Sequence, residues 1–437
     1  MPHLATVLAL SLLPGLRQDP PVLPLRERAA LVDGWLEERL DTLVPVLMRE
    51  AGIDVWIVLA REYNEDPVIE TMLPATWMAA RRRTILVFHD PGGEKAVERL
   101  AVARYDVGRF FAKAWDTEKQ PDQWARLGEL VASFQPKRIA VNVDPVFALG
   151  DGLSMSQYRE LLRALGDDAS KVTTQHHLPI RWLETRIPAE LEVYPSIVAL
   201  AHRIIADGFS SDVVRPGETT TADVEWWLRE RIAGWKLDTW FHPSVSLQRN
   251  EGEERSGSFA AKEGSRTIER GDLLHVDFGI TYLGLNTDTQ QHAYVLREGE
   301  TDAPEGLRKA LAVGNRLQDV LMASFVQGRT GNEILASALA QASKEEIAAT
   351  IYTHPLGYHG HAAGPTIGLW DQQGGVPGSG DYPLHAMTVH SIELNAAVAV
   401  AEWNDALVRI MLEEDALFDG KACRFLDGRQ TELILIR

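Results

Sequence analysis

The sequence predicts an α/β domain followed by an α+β domain. Predicted strands and helices alternate over residues 27–185, which is typical of a sheet covered by helices. From about residue 240 the pattern changes to strands and turns, with helices near 305–327 and 331–346. With 437 residues and 45% hydrophobic side chains, the chain is long and apolar enough to bury two cores.

Composition and charge exclude several classes of protein. Cys423 is the only cysteine, so a disulfide scaffold is excluded. No apolar run reaches the ~20 residues that a membrane span requires. The chain has 44 Lys and Arg against 62 Asp and Glu, a formal net charge of −18. Because so acidic a surface repels phosphate backbones, we do not expect nucleic-acid binding. The short apolar runs likewise make a membrane span unexpected.

An apolar run over residues 5–13 (ATVLALSLL) is similar to the core of a signal peptide. No Lys or Arg precedes this run, and no clear cleavage site follows it, so a plain tail is the alternative. We therefore treat residues 1–20 as a signal peptide or a disordered tail. A signal peptide would make the protein periplasmic or secreted, and a plain tail would make it cytoplasmic.

The helices and strands follow from the spacing of apolar residues. Apolar residues three and four apart predict a helix over 27–49 that ends at Gly52. Thr220 or Thr221 is expected to cap a helix that runs to about residue 235. The other elements expected before residue 210 are strands at 53–59, 84–88 and 138–143 and helices at 123–133, 154–165 and 190–207. These elements place an N-terminal α/β domain at 21–187 and a second domain at 188–437.

Two predicted hairpins carry opposed carboxylates. Asp277 and Asp288 are symmetric about a turn near Leu283, and Glu393 and Glu413 are symmetric about residue 403. Directly opposed residues share a face of the sheet, where like charges destabilise it unless a cation neutralises them. The alternative for the Asp pair is a solvent-exposed hairpin. The alternative for the Glu pair is an ion pair with Arg409.

Three histidines lie in a glycine-rich segment between these hairpins, at His354, His359 and His361. Imidazole and carboxylate donors together suit borderline-hard divalent ions such as Mn²⁺, Co²⁺ or Zn²⁺. Because no thiolate is available, a closed structural zinc site is not expected. Two such ions can hold a water and stabilise the transition state of a hydrolysis.

These segments resemble the pita-bread metallopeptidase family, which includes methionine aminopeptidase, Xaa-Pro aminopeptidase, prolidase and the non-metal creatinase. That family carries Asp, a second Asp eleven residues later, His, Glu and Glu, and the same order and spacing occur here. The matching positions are Asp277 in Val-Asp-Phe-Gly, Asp288, His361 in His-Ala-Ala-Gly, Glu393 in Ser-Ile-Glu and Glu413 in Glu-Glu-Asp-Ala-Leu. The resemblance covers about residues 190–437, and the preceding α/β region resembles the creatinase-like N-terminal domain of prolidase and Xaa-Pro aminopeptidase.

The resemblance implies two divalent metal ions, with Mn²⁺ as the first choice and Co²⁺ or Zn²⁺ as alternatives. Asp277 would chelate one ion, Asp288 and Glu413 would bridge both, and His361 and Glu393 would bind the other. Glu393, as the proton shuttle, and His361 would be the catalytic residues.

The sequence departs from the family pattern at two histidines that normally contact substrate. None lies within 249–258, and Trp370 stands where the second is expected. His359 and His354 are the candidate replacements, with Trp370 as a third substrate-binding residue. Packing of the loop is the alternative role for the two histidines.

The function implied by the resemblance is metal-dependent hydrolysis of peptide bonds at or before proline, by an Xaa-Pro dipeptidase or aminopeptidase. One alternative is a related metal-dependent hydrolase with a different substrate. Another is a pita-bread domain that has become a binding module. The expected partner is a small peptide, and the resemblance adds a homodimer.

Overall fold

The computed structural model describes residues 22–174, 176–250 and 264–437. The expected signal or tail at 1–20 and most of the segment 249–258 lie outside these residues. No helix within the described ranges is long and apolar enough to cross a membrane. The division of the chain between residues 187 and 188 stays a prediction.

The α-helices of the described residues cover every helix expected from the sequence and include two short ones that were not expected. They are α1 (Leu25–Glu38), α2 (Val44–Ala51), α3 (Pro67–Glu70), α4 (Gln123–Phe134), α5 (Met155–Leu165), α6 (Leu178–Glu184), α7 (Pro188–Gly208), α8 (Thr221–Gly234), α9 (Glu305–Ala323) and α10 (Gly331–Lys344). A π-helical turn, Arg39–Leu43, joins α1 to α2. Gly52 ends α2 in the left-handed conformation, with φ 62°. Thr220 caps α8 by accepting a hydrogen bond from the Asp223 amide at 3.2 Å.

The strands of the described residues form five sheets. They are β1 (Val55–Arg61), β2 (Arg83–His89), β3 (Glu98–Ala101), β4 (Ala112–Lys113), β5 (Ile139–Val141), β6 (Val172–Thr173), β7 (Ser244–Gln248), β8 (Leu273–Phe278), β9 (Thr281–Tyr282), β10 (Leu285–Asn286), β11 (Thr289–Val295), β12 (Ala348–Ile351), β13 (His354–Leu356), β14 (Thr388–Ser391), β15 (Leu394–Val400), β16 (Ala406–Leu412), β17 (Asp415–Phe418), β18 (Cys423–Phe425) and β19 (Ile434–Ile436).

The first sheet has the order β4-β3-β2-β1-β5-β6 and lies between two layers of helices. Alternate residues of β1 face opposite cores. Trp56 and Val58 belong to the core that includes α2, whereas Ile57 and Leu59 belong to the core that includes α4 and α5. Because both faces of β1 are buried, the strand reads as an unbroken apolar run in the sequence.

The remaining sheets form a second layered structure. Helices α7 and α8 pack against the sheet β19-β11-β8-β7, and α9 and α10 pack against β15 and β16. The layer built on the sheet β19-β11-β8-β7 and the layer that contains β15 and β16 meet where β11 contacts the chain between β16 and β17. There the backbone amide of Gln290 donates to the backbone carbonyl of Glu413 at 2.9 Å. This junction places the polar residues of both layers side by side.

His390 is an unusual member of this core. It lies on β14 between Pro355 and Ala416, it is fully buried, and its ring meets Phe325 edge-on at 5.3 Å. Neither ring nitrogen has a hydrogen-bond partner among the described residues. Burial, assisted by the charge of His354, lowers the pKa of His390 to about 3.

We expect His390 to make the fold sensitive to acid. The unfolded chain protonates this histidine below its ordinary pKa of 6.5, whereas the folded chain resists protonation down to about 3. Stability is therefore lost as the pH falls through this window, by about 2 kcal/mol for this group between about pH 7.5 and pH 5. His390→Leu should reduce that loss, measured as urea midpoints of the metal-free protein at the two pH values. Equal pH dependence of the variant and the wild type would contradict this role for His390.

Candidate functional site

Glu393 and Glu413 lie at the end of the β15–β16 hairpin. The ladder ends with Leu394 paired to Leu412, so the next residues of the same register are the two glutamates. The Ile392 amide donates to the Glu414 carbonyl at 2.9 Å, which continues this register beyond the strands. The hairpin therefore has the register that the symmetry about residue 403 predicts.

The Asp hairpin has a different register from the one expected. Asp277 pairs with Gln290 and not with Asp288, because the turn is made by Leu283 and Gly284. Both turn residues have positive φ, 57° and 77°, as in a two-residue type I′ loop. The pairing is thus shifted by two residues, which leaves Asp288 on the same face as Gln290 because side chains alternate along a strand. The expected direct opposition was wrong, but the shared face is retained.

These four carboxylates meet on neighbouring strands. Gln290 pairs with Asp277 on one side and forms a bridge with Glu413 on the other. Asp288 and Glu413 are buried, at 4% and 1% exposure, whereas Asp277 and Glu393 are partly exposed. The alternative of a solvent-exposed Asp pair therefore does not describe the structure.

His354 points its Nε2 atom at these carboxylates. Its Nδ1 atom donates to the Pro355 carbonyl at 2.9 Å, which leaves Nε2 as the free nitrogen. Nε2 lies 3.4 Å from Asp288 Oδ2, 3.4 Å from Glu413 Oε1 and 4.0 Å from Glu393 Oε2. Burial lowers the pKa of His354, but the adjacent Glu413 and Glu393 outweigh burial and raise that pKa to about 9.

The carboxyl groups repel one another in the absence of a cation. Burial, followed by the charge of Glu413, raises the pKa values of Asp277, Asp288 and Glu393 well above their ordinary range. Ionisation of these three side chains is therefore disfavoured in the folded protein. A divalent cation among them would reverse this effect.

The donor atoms present fit such a cation. Asp288 Oδ1 and His354 Nε2 are buried, and neither forms a well-aligned hydrogen bond with a described residue. Within the described residues, three groups of side chains each bring together one donor atom per residue, with the donor atoms of a group within 4.8 Å of one another. They are Asp277 with Asp288 and Glu413, His354 with Glu393 and Glu413, and Asp288 with His354 and His361. Oxygen-rich sets with imidazole are typical of Mn²⁺, Co²⁺ and Zn²⁺ sites.

His361 lies at the exposed edge of the cluster. Its ring meets His354 edge-on at a centroid distance of 4.7 Å and contacts Trp240 at 5.1 Å. The Trp240 indole nitrogen donates to the Thr287 carbonyl at 3.0 Å. A Cβ at Gly360 would overlap the Trp240 ring at 2.2 Å, so glycine is needed there. Trp240 and His361 thus form an aromatic rim beside the carboxylates.

The other residues expected at the site lie outside the donor groups. His359 is mostly buried beside Arg186, and burial together with this charge lowers its pKa to about 4. Trp370 is 43% exposed, next to a turn in which the Gln372 amide donates to the Leu369 carbonyl at 2.8 Å. Arg409 is exposed on β16, whereas both glutamates contact the Gln290 amide. The hydrogen bonds of Glu393 and Glu413 therefore do not support the alternative of an ion pair with Arg409.

Three supporting residues were not identified from the sequence. Gln290 donates to two carboxylates, Ser391 Oγ donates to Glu413 Oε1 at 2.5 Å, and Trp240 contacts His361. Gln290 could have been found because it follows Asp288 by two residues and so shares its face. Trp240 is far from the motifs in sequence and offered no such signal.

The family model described as metallopeptidase family M24 matches residues 196–419. No curated protein matches the sequence. Among solved structures, X-Pro aminopeptidase from Thermotoga maritima MSB8 is similar, with a TM-score of 0.62, 18% identity and coverage of 89% of this chain and 99% of that one. Xaa-Pro dipeptidase from Bacillus anthracis has a TM-score of 0.56 and 15% identity, with 94% and 100% of the two chains covered.

The prolidase from Pyrococcus horikoshii OT3 has a TM-score of 0.54 and 14% identity, with 93% of this chain and 100% of that chain covered. Likeness at such low identity concerns the fold, and it confirms the fold class expected from the sequence. Because the family match spans slightly more than half of the 437 residues, the chain belongs to metallopeptidase family M24.

Proposed function

We propose that this protein is a dinuclear metallopeptidase that hydrolyses peptide bonds at or before proline, as an Xaa-Pro dipeptidase or aminopeptidase. The observation that carries the proposal is the overlap of the three donor groups, because Asp288, His354 and Glu413 each belong to two of them. Shared carboxylates are the feature that allows two cations to sit a few ångströms apart. The similar structures are those of two Xaa-Pro peptidases and a prolidase, which favours a proline-containing substrate.

We assign Asp277, Asp288 and Glu413 to one ion. For the second ion, His354 and Glu393 join Glu413, and His354 takes the imidazole position that the motif pattern attributed to His361. His354 is better placed for this role, because its Nε2 is buried and lies within 4.0 Å of three carboxylates. His361 is exposed and would face substrate. Mn²⁺ is the proposed metal, since oxygen donors dominate the set.

Bound divalent ions would polarise the scissile carbonyl and lower the pKa of the attacking water. Glu393 would take the proton from that water and deliver it to the leaving amine, in keeping with a general base. Its side chain is 16% exposed, against 1% for Glu413, so substrate can reach it. His361 and Trp240 would line the approach, with Trp240 offering an apolar face to a proline ring.

The decisive experiment is metal analysis of the purified protein, followed by assays on Xaa-Pro dipeptides, on longer Xaa-Pro peptides and on matched Xaa-Ala peptides. Bound Mn²⁺ with selective cleavage of the proline peptides would support the proposal. Metal binding without peptide cleavage would favour a related hydrolase or a binding module. Absence of metal binding would contradict the proposed site. Gel filtration in the same series tests the homodimer.

We expect Asp288→Asn to separate metal binding from folding. The substitution removes one buried charge, so the metal-free variant should melt at a higher temperature than the metal-free wild type. It should also lose the increase in melting temperature that Mn²⁺ gives the wild type. Asp167→Asn, at an exposed position, is the matched control. If Mn²⁺ raised the melting temperature of Asp288→Asn as much as that of the wild type, Asp288 would not be a metal ligand.

We expect Glu393→Gln to abolish most activity while leaving metal bound. The amide retains an oxygen for a cation but cannot take a proton, so kcat on an Xaa-Pro substrate should fall by roughly 10²–10⁴-fold. Glu402→Gln, in the turn of the same hairpin, should have wild-type kcat. A kcat loss of less than about tenfold at full metal content would exclude Glu393 as the base.

We expect the two histidines to differ in what they bind. His354→Phe should lower metal content sharply, because it removes a buried ligand. His361→Phe should keep the metal and raise KM, because that side chain faces substrate. Metal analysis and kinetics of both variants check this assignment. The reverse pattern would return the ligand role to His361.

A further inference from the structure

Gln290 occupies the centre of the carboxylate cluster. Its backbone pairs with Asp277 on β8 and with Glu413 on the other side, and Asp288 lies two residues before it, immediately before β11 begins. Cross-strand neighbours and residues two apart share a face of a sheet. The Gln290 side chain, only 4% exposed, therefore lies among the acids on which the proposed metal site depends.

The Gln290 amide contacts both glutamates. Nε2 donates to Glu393 Oε1 at 2.6 Å and to Glu413 Oε2 at 2.7 Å, so its two hydrogens serve two carboxylates. Carboxylates accept hydrogen bonds, so the amide nitrogen must face them and Oε1 must face away. Oε1 lies 2.9 Å from His275 Nε2, which donates to it. His275 thus determines the orientation of the amide.

The amide leaves the opposite oxygen of each glutamate directed at the proposed ligand His354. Glu413 Oε1 and Glu393 Oε2 are the atoms that lie 3.4 Å and 4.0 Å from His354 Nε2. Without a double donor between them, the two glutamates would repel and rotate apart. A cationic side chain at this position would compete with a metal ion, and an acidic one would add repulsion. A neutral amide avoids both effects.

We infer that Gln290 is a positioning residue: it holds Glu393 and Glu413 at a fixed spacing, with the oxygens that it does not contact directed at His354, and so raises the affinity for the second divalent ion. His275 acts through Gln290 by fixing the amide. This inference rests on the proposed metal site. Groups that orient ligands in this way typically contribute roughly 10–100-fold to metal affinity.

The test is a titration of the metal-free protein with Mn²⁺ in competition with a chromogenic chelator. Gln290→Met keeps the length of the side chain but removes both donors, and we expect its affinity for Mn²⁺ to fall by roughly 10–100-fold. Gln291→Met is the matched control, because Gln291 is also buried on β11 but contacts Glu414 instead. Its affinity should stay at the wild-type value. Urea unfolding of the metal-free proteins should show Gln290→Met to be no less stable than Gln291→Met.

His275→Phe provides a second measurement that does not depend on the folding of Gln290→Met. It should weaken Mn²⁺ binding by a smaller factor, and it should add nothing when combined with Gln290→Met, because its effect passes through the same amide. Wild-type affinity in Gln290→Met, or equal losses in Gln290→Met and Gln291→Met, would overturn the role of Gln290. Wild-type affinity in His275→Phe would overturn it where Gln290→Met does not fold. Failure of the wild type to bind Mn²⁺ would instead contradict the proposed metal site.

Discussion

The constraint on which this structure depends is the mutual repulsion of acidic side chains held together at the junction of two β-sheet layers. Asp288 and Glu413 are almost fully buried, and Asp277 and Glu393 adjoin them. Burial of an unpaired carboxylate is expensive, and burial of several together is more so. The surrounding residues offset this cost. They position the acids for a cation and satisfy the oxygens that a cation would not reach.

The residues behind the cluster keep this junction rigid. His292 donates from Nδ1 to the Leu274 carbonyl at 3.0 Å, and its Nε2 accepts from the Met411 amide at 3.0 Å. His202 lies between Glu414 and Asp427, at 2.6 Å and 2.9 Å, and the pKa of His202 is raised to about 10 by these partners in spite of burial. His202 is thus positively charged at neutral pH. It balances the acids Glu414 and Asp427 next to the site.

The sequence predicted the regular elements and one hairpin well, for physical reasons. Helix α8 and its Thr220 cap follow from local hydrogen bonding, and β1 follows from an apolar run buried on both faces. The Glu pair followed from symmetry because its strands are long and regular. The predicted pairing of Asp277 with Asp288 was wrong by two residues, because Leu283 and Gly284 adopt positive φ. Strand symmetry does not reveal the conformation of a turn.

The roles of the histidines could not be derived in the same way. His354 and His361 are seven positions apart in a glycine-rich segment, and nothing in their spacing says which ring turns inward. That choice is made by the Pro355 carbonyl, which binds the His354 Nδ1 atom. Gln290 was not predicted for a related reason, since a neutral amide gives no sequence signal of its own. Its role depends on which carboxylates lie beside it in the fold.

The N-terminal part of the chain contributes to the site by anchoring this histidine segment. The hydroxyl of Tyr358, between His354 and His361, donates to Glu190 Oε1 at 2.5 Å. Its ring lies 4.3 Å from the Arg186 guanidinium and 5.0 Å from that of Arg39. Arg39 comes from the π-helical turn after α1 and pairs with Glu190 at 3.1 Å, with both side chains fully buried.

Buried ion pairs are costly to disrupt, because removal of one partner leaves an uncompensated charge in the interior. The cluster of two arginines, one glutamate and Tyr358 therefore connects the turn after α1 and the start of α7 to the segment that runs from His354 on β13 to His361. Any shift of the N-terminal helices against the second layered structure would have to break these contacts or carry the loop along. The arrangement of His354 and His361 is consequently a property of the whole chain and not only of the residues that match the family.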